Sequence, residues 1–169
     1  MLLKSNIMLY FILFIAFLGL IFGVLLRKYT LEEIKQGRYY LFILSKLTLF
    51  FILIAVVYYS PISLASIIAF VIGFLSVYLI KRIYFYLGLT LFLSFLINNN
   101  LILIISSLIF IYGLTKGSYI AQNKEILNSF VLFMLPFLLY FFSQAFFYSH
   151  LISWLSAGAL VKFLISKDL

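Results

Sequence analysis

Long runs of apolar residues, broken only by short clusters of charge, proline or asparagine, fill almost the whole chain. A helix that crosses the hydrocarbon core of a bilayer needs about 17–25 mostly apolar residues. Runs that meet or approach this length cover residues 5–26, 39–60, 62–80, 83–98, 101–115, 126–149 and 151–165. The runs are continuous rather than alternating, which excludes a transmembrane barrel. We therefore predict an all-α, polytopic bundle of transmembrane helices, with residues 1–169 forming a single integral membrane domain.

Charged residues are too rare to cover a water-soluble globule. They make up 9% of the 169 residues, against about 25% in soluble domains, so the cell membrane is the expected location. In a soluble protein the net charge of +8 would raise the question of nucleic acid. Here the basic residues lie between apolar runs, so no nucleic acid is expected. The predicted partner is the anionic inner leaflet of the membrane.

The positions of the basic residues set an orientation, because Lys and Arg favour the cytoplasmic side. With the N-terminus outside, only Lys4 lies outside. The inner segments hold the other eleven of the 12 basic residues, Arg27, Lys28, Lys35, Arg38, Lys46, Lys81, Arg82, Lys116, Lys124, Lys162 and Lys167. We predict seven helices with the N-terminus outside and the C-terminus inside. Because the run 151–165 is short and contains Lys162, six helices are the alternative, although Lys162 and Lys167 favour seven.

Two polar stripes interrupt the apolar runs. Thr90, Ser94 and Asn98 recur every four residues, on one face of a helix. In the run 126–149 and just beyond it, Ser129, Pro136, Ser143 and His150 are seven residues apart, Gln144 is adjacent, and Pro136 favours a kink. The predicted outward-facing polar vestibule consists of Thr90, Ser94, Asn98, Ser143, Gln144, His150 and Ser153. The alternative is that the hydroxyls bond to their own helices and that the Asn and His residues are interfacial.

Charges gather in the segment 27–38, which we predict to be a short cytoplasmic amphipathic loop or helix. Thr30 and Glu33 match a capping box, and Gly37 is typical of a helix end. A candidate headgroup-binding or regulatory site consists of Glu32, Glu33, Lys35 and Arg38. The alternative is an anchor that only fixes orientation and contacts anionic lipid.

Small residues mark two faces on which helices are expected to approach closely. The first carries Ala16, Gly19 and Gly23, and the second carries Ser66, Ala69, Gly73 and Ser76. We expect packing within the chain, with a seam to another membrane protein or to a second copy as the alternative. Lys46 lies inside an apolar run, and we expect its ammonium to reach the inner headgroups, the alternative being a cation that faces a pathway.

The residues needed for most enzyme chemistry are missing. The chain has no cysteine and one histidine, and all four acids, Glu32, Glu33, Glu125 and Asp168, fall outside the apolar runs. Zinc motifs and paired-aspartate proteolysis are thereby excluded, and no metal or cofactor is expected. The first hypothesis is a small transporter or channel for an uncharged or weakly charged solute. The alternative is a non-catalytic membrane-complex subunit, and the third is a lipid-modifying enzyme that uses the first cytoplasmic loop.

Overall fold

The computed structural model describes residues 2–118, 123–141 and 149–166, without the side chains of residues 2–10, 31, 35, 99, 123–125 and 139–141. These residues form seven α-helices and one 3₁₀ helix, and no strand occurs among them, so the all-α prediction is confirmed. The elements are α1 (Leu2–Tyr29), α2 (Leu31–Tyr59), α3 (Leu64–Ser76), α4 (Ile83–Ile97), α5 (Asn99–Gly117), α6 (Asn123–Met134), the 3₁₀ helix (Leu135–Phe141) and α7 (Ser149–Ile165).

Polar residues cap the first turns of two helices at the points where the apolar runs break. Ser63 precedes α3, and its hydroxyl accepts a hydrogen bond from the Ser66 amide at 3.1 Å. Asn98 precedes α5, and its side-chain oxygen accepts from the Asn100 amide at 2.9 Å. Both contacts satisfy backbone donors that the first turn of a helix leaves without an intrahelical partner.

The junction between α1 and α2 differs from the predicted capping box. Thr30 is the only non-helical residue between the two helices, and its side chain accepts no capping hydrogen bond. Its hydroxyl instead donates to the Leu26 carbonyl at 2.9 Å and so completes the end of α1. Gly37 has a negative φ, and no atom lies within 4 Å of the position that a Cβ atom would take there. The helix α2 therefore continues past Gly37 to Tyr59.

Two pairs of helices lie in backbone contact through small residues. A Cβ atom at Gly19 would overlap the backbone of Phe110, and one at Gly23 would overlap Leu114. A step of four residues along α1 thus matches a step of four residues along α5 in the same direction, so the two helices run parallel. In the second pair a Cβ atom at Gly73 would overlap the backbone of Leu155, so α3 packs equally closely on α7.

α4 lies at the centre of the bundle, because eleven of its 15 residues are buried. It contacts α5, α6, the 3₁₀ helix and α7. A Cβ atom at Gly88 would overlap the backbone of Phe133, which explains why α6 approaches α4 so closely. Bulky side chains fill the remaining space around α4, including Leu87 and Leu91, which have no solvent exposure.

The start of α4 and the ends of α3, α5 and α7 lie together at one side of the bundle. Tyr86, near the start of α4, packs 5.8 Å from Phe163, near the end of α7. Its hydroxyl lies 2.8 Å from Ser76 at the end of α3, and Tyr84 packs 6.2 Å from Tyr112 near the end of α5. This side, here called the basic end, carries Arg27, Lys46, Lys81, Arg82, Lys116 and Lys162.

α2 is packed along only half of its length. None of the described side chains from Glu32 to Leu44 is buried, and burial begins at Ser45. Tyr39 and Tyr40 are 70% and 74% exposed. The first half of α2 therefore extends past the packed bundle at the basic end.

Among the residues that the structure describes, three helical segments are long and apolar enough to cross a membrane, Phe11–Tyr29, Gln36–Tyr59 and Asn100–Gly117. The shorter apolar segments are Leu64–Ser76, Ile83–Ile97, Ile126–Leu138 and Ser149–Ile165. Large apolar side chains also remain exposed on the outside of the bundle, notably Ile67, Ile68 and Val71 on α3. Such a surface is typical of a protein surrounded by lipid.

Candidate functional site

Buried hydroxyl groups interrupt the apolar core on four helices that contact one another. α2 and α4 each contact both α5 and α7. Each of the four carries two buried Ser or Thr residues, which we call the core hydroxyls: Ser45 and Thr48, Thr90 and Ser94, Ser106 and Thr115, and Ser153 and Ser156. The four-helix core therefore holds neutral hydrogen-bonding groups, to which buried tyrosines on α4 and α5 add further hydroxyls.

The predicted stripe on α4 faces this core. Thr90 and Ser94 are 1% and 2% exposed. They lie on the α4 face between Tyr84, which packs against α5, and Tyr86, which packs against α7. Gly88 faces α6 from the opposite side of the helix. Since α2 contacts both α5 and α7, the stripe is turned toward α2.

Each stripe hydroxyl bonds to its own helix. Thr90 donates to the Tyr86 carbonyl at 2.6 Å and Ser94 to the Leu91 carbonyl at 2.7 Å. Ser153 on α7 donates to the Ser149 carbonyl at 3.0 Å. These contacts satisfy the hydroxyl donors inside the apolar core.

The structure separates the other vestibule residues. Asn98 is exposed and caps α5, at the end of the bundle opposite the basic end. His150 is half-buried in the first turn of α7, near the same end. Ser143 and Gln144 lie outside the described residues. The structure thus brings Thr90, Ser94 and Ser153 into the core, and Asn98 and His150 lie toward its outer rim.

A charged cleft lies at the α1–α2 junction. Its volume is about 280 Å³, and its lining residues are Lys28, Tyr29, Thr30, Glu32 and Glu33. Two of the four residues predicted for the headgroup site therefore line one cleft. Arg38 is exposed farther along α2, and the Lys35 side chain is not described. One lysine and two glutamates are therefore among the residues that line this cleft.

Lys46 makes a contact that the sequence analysis did not anticipate. Its ammonium donates to the carbonyls of Phe163, Leu164 and Ser166 at 2.8, 2.8 and 2.7 Å. These carbonyls belong to the C-terminal end of α7, where the last helical carbonyls lack intrahelical partners. The predicted reach toward lipid headgroups is thus replaced by a cap on another helix. Only the tertiary pairing of α2 with α7 reveals this role.

Lys162 is held by two aromatic side chains, one at the end of α3 and one just beyond it. Its ammonium donates to the Tyr78 hydroxyl at 3.0 Å and lies 4.7 and 5.2 Å from the ring centroids of Tyr78 and Phe74. A cation over an aromatic face is favourable, and more so where water is scarce. The charge inside the last apolar run is therefore compensated within the bundle.

Within the described ranges, no group of three or more His, Asp or Glu side chains comes together as a metal site. Comparison of the chain with protein-family models, with curated proteins and with solved structures gives no match. Because a helical bundle alone does not define an activity, the function of this protein depends on the sites that the bundle carries.

Proposed function

We propose that the chain is a seven-helix integral membrane protein, N-terminus outside and C-terminus inside, that carries an uncharged or weakly charged solute through its four-helix core. The main observation in favour of this proposal is the set of core hydroxyls on α2, α4, α5 and α7. Polar groups inside a membrane bundle are expensive and tend to face a pathway or a partner.

The chemistry of the core favours a neutral solute. A hydroxyl both donates and accepts, and it can exchange its bond to the helix for a bond to a solute hydroxyl or amide. The ammonium groups of Lys46 and Lys162, at the basic end of these helices, already donate to three carbonyls and to the Tyr78 hydroxyl. A permanent charge on the solute would have no counter-charge there and would be strongly disfavoured.

A change of helix type next to α4 supplies the moving part of this proposal. α6 ends at Met134 and the chain continues as a 3₁₀ helix containing Pro136. Phe137 of the 3₁₀ helix packs 5.6 Å from Phe92 of α4. Because proline removes a backbone donor and 3₁₀ bonds are weaker than α-helical ones, this stretch bends at low cost. Interrupted helices are a recurrent feature of transporters.

Flux measurements test the carrier proposal. Proteoliposomes are shrunk osmotically with glycerol, glucose or alanine, and reswelling is followed by light scattering. Reswelling faster than in protein-free vesicles is expected for at least one solute. Thr90→Val and Ser94→Ala should each slow that flux about three- to tenfold, since one neutral hydrogen bond is worth about 0.5–1.5 kcal/mol.

The matched control for the flux measurement is Ser107→Ala. Ser107 is exposed on α5 and makes the same kind of bond, to the Leu103 carbonyl at 2.9 Å. Its replacement removes an equal group outside the core and should leave flux unchanged. Normal flux in both Thr90→Val and Ser94→Ala would contradict the carrier proposal.

The proposed orientation has its own test. Neutralising Arg27, Lys28, Lys35 and Arg38 together with glutamine removes the largest cluster of inner positive charge. We expect mixed orientation in a topology-reporter assay, because positive charges near the first helices dominate orientation. An unchanged, uniform orientation would count against the proposed arrangement.

A second candidate function, binding of a phospholipid headgroup, is favoured by the charged cleft at the basic end. The proposed ligand is a zwitterionic headgroup with a primary ammonium, whose phosphate would pair with Lys28 and whose ammonium would pair with Glu32 and Glu33, three residues that line the cleft. Charge-assisted hydrogen bonds are stronger than neutral ones, so this pairing would select an ammonium that can donate.

Lipid retention in native mass spectrometry tests the headgroup proposal. We expect phosphatidylethanolamine to be retained more than phosphatidylcholine, whose quaternary ammonium cannot donate a hydrogen bond. Changing both Glu32→Gln and Glu33→Gln should reduce this preference about threefold or more. Arg38→Gln, an exposed charge outside the cleft, should leave it unchanged. Equal retention of the two lipids by the unaltered protein would refute the assignment.

A further inference from the structure

The inner end of α7 has two polar features that are unfavourable in a membrane-spanning helix, a lysine side chain and unpaired backbone carbonyls. The helix has 17 residues and contains Lys162 in its last turn, so it is short and partly charged for a lone transmembrane helix. Its last carbonyls have no partners within the helix. In an apolar environment each unsatisfied backbone group is costly.

α2 compensates the backbone at this end. The Lys46 ammonium donates all three of its hydrogens to α7 carbonyls, at 2.7–2.8 Å. Lys46 lies ten residues inside the apolar segment Gln36–Tyr59, so its charge also needs acceptors. The two groups satisfy one another, and neither is satisfied in the separate helices.

α3 compensates the side chain and supplies the packing face. Tyr78 and Phe74 hold the Lys162 ammonium. At the other end of the pair, the Trp154 indole donates to the Pro61 carbonyl at 2.9 Å. Between these contacts a Cβ atom at Gly158 would overlap the backbone of Phe70. The contact therefore extends along the whole of α7.

We propose that α7 becomes a membrane-spanning helix only by docking on α2 and α3, and that the Lys46 ammonium completes this docking. Both partners precede α7 in the chain, so they are made first. Helices that are stable in the membrane associate after insertion, whereas α7 obtains its polar partners only through association. The inference rests on the membrane-spanning part of the proposed function and is independent of the solute and the headgroup.

Single-cysteine labelling tests the inference, because the chain contains no cysteine. His150→Cys marks the first turn of α7 and Asp168→Cys marks the C-terminal side. Asn100→Cys, in the first turn of α5 at the same end of the bundle as His150, is a control. Sealed membranes are treated with a membrane-impermeant maleimide before and after permeabilisation. When no other residue is changed, the cysteines at positions 150 and 168 are expected to be labelled from opposite sides of the membrane.

In the Lys46→Met background, a fraction of molecules is expected to expose both α7 reporters on one face. That fraction should rise at least about tenfold, since a single charge-assisted bond is worth about this factor. Lys46→Arg retains donors and should restore most of the two-face labelling. Lys81→Met removes an equal charge from an exposed side chain at the same end and should have no effect.

Three results would overturn the inference. The first is two-face labelling of α7 in Lys46→Met as complete as in the unaltered background. The second is an equal shift in Lys81→Met, which would assign the effect to net charge. The third is a change of face at Asn100→Cys, which would show that Lys46 acts on the whole bundle rather than on α7. The assay reads topology and not flux, so its failure is distinguishable from failure of the carrier proposal.

Discussion

Replacing Gly19 by alanine is expected to destabilise the bundle by about 1–3 kcal/mol, the usual cost of overpacking. The added methyl group would overlap the backbone of Phe110, including its carbonyl oxygen. Backbone atoms of a packed helix cannot move aside as a flexible side chain can, so α1 and α5 must separate. Alanine also improves helix propensity by up to about 1 kcal/mol, and the overlap outweighs this gain.

Gly37→Ala is the matched control, because nothing lies within 4 Å of the position that its Cβ atom would take. The same substitution in the unpacked half of α2 should therefore be neutral or stabilise by about 0.5–1 kcal/mol. Both variants can be compared by titration with a denaturing detergent, with helix content followed by circular dichroism. Equal stability of the two variants would mean that α1 and α5 are not in backbone contact.

Lys46→Met is expected to lower the stability of the bundle by about 2–4 kcal/mol. The change keeps an unbranched, flexible side chain that is one atom shorter, and it removes three hydrogen bonds to carbonyls at the end of α7. A hydrogen bond to a charged group is worth about 1.5–3 kcal/mol, and the desolvation of the ammonium that is no longer needed offsets part of the sum.

Lys162→Met provides the comparison for Lys46, because Lys162 donates to one hydroxyl and otherwise contacts rings. Its loss should cost about 1 kcal/mol, a typical value for such a contact. The same detergent titration measures both variants. If Lys162→Met proved as destabilising as Lys46→Met, the capping of α7 by Lys46 would not be the main contribution of that ammonium.

The positions of the helices are largely predictable from the sequence, since most of the apolar runs overlap one observed element. The exceptions are α2, which begins at Leu31 rather than at residue 39, and the run 126–149, in which α6 gives way to a 3₁₀ helix after Met134. Pro136 likewise predicts the disturbance after α6. The partners of each helix are not predictable. The small residues at Gly19 and Gly73 show which face packs, but apolar helices carry little information about which neighbour they will meet. The parallel pairing of α1 with α5 therefore appears only in three dimensions.

The candidate sites are predictable in part and for the same reason. The four-residue spacing of Thr90 and Ser94 identifies one helix face, although its direction depends on where α5 and α7 pack. At the α1–α2 junction the charges are evident in the sequence, whereas the cleft depends on Thr30 bonding backward to Leu26. A threonine at such a position chooses between two local hydrogen bonds, and its preference is set by the helix that precedes it.

The unpacked half of α2 gives the protein two hydrophobic lengths. The apolar segment of α2 has 24 residues and would measure about 36 Å along its axis, whereas the 13 residues of α3 measure about 20 Å. In the proposed membrane arrangement, lipid acyl chains beside α2 would stretch or the helix would tilt, while those beside α3 would compress. A bilayer responds to such a difference by changing its local thickness. The protein would then prefer short-chain lipids along one side and long-chain lipids along the other.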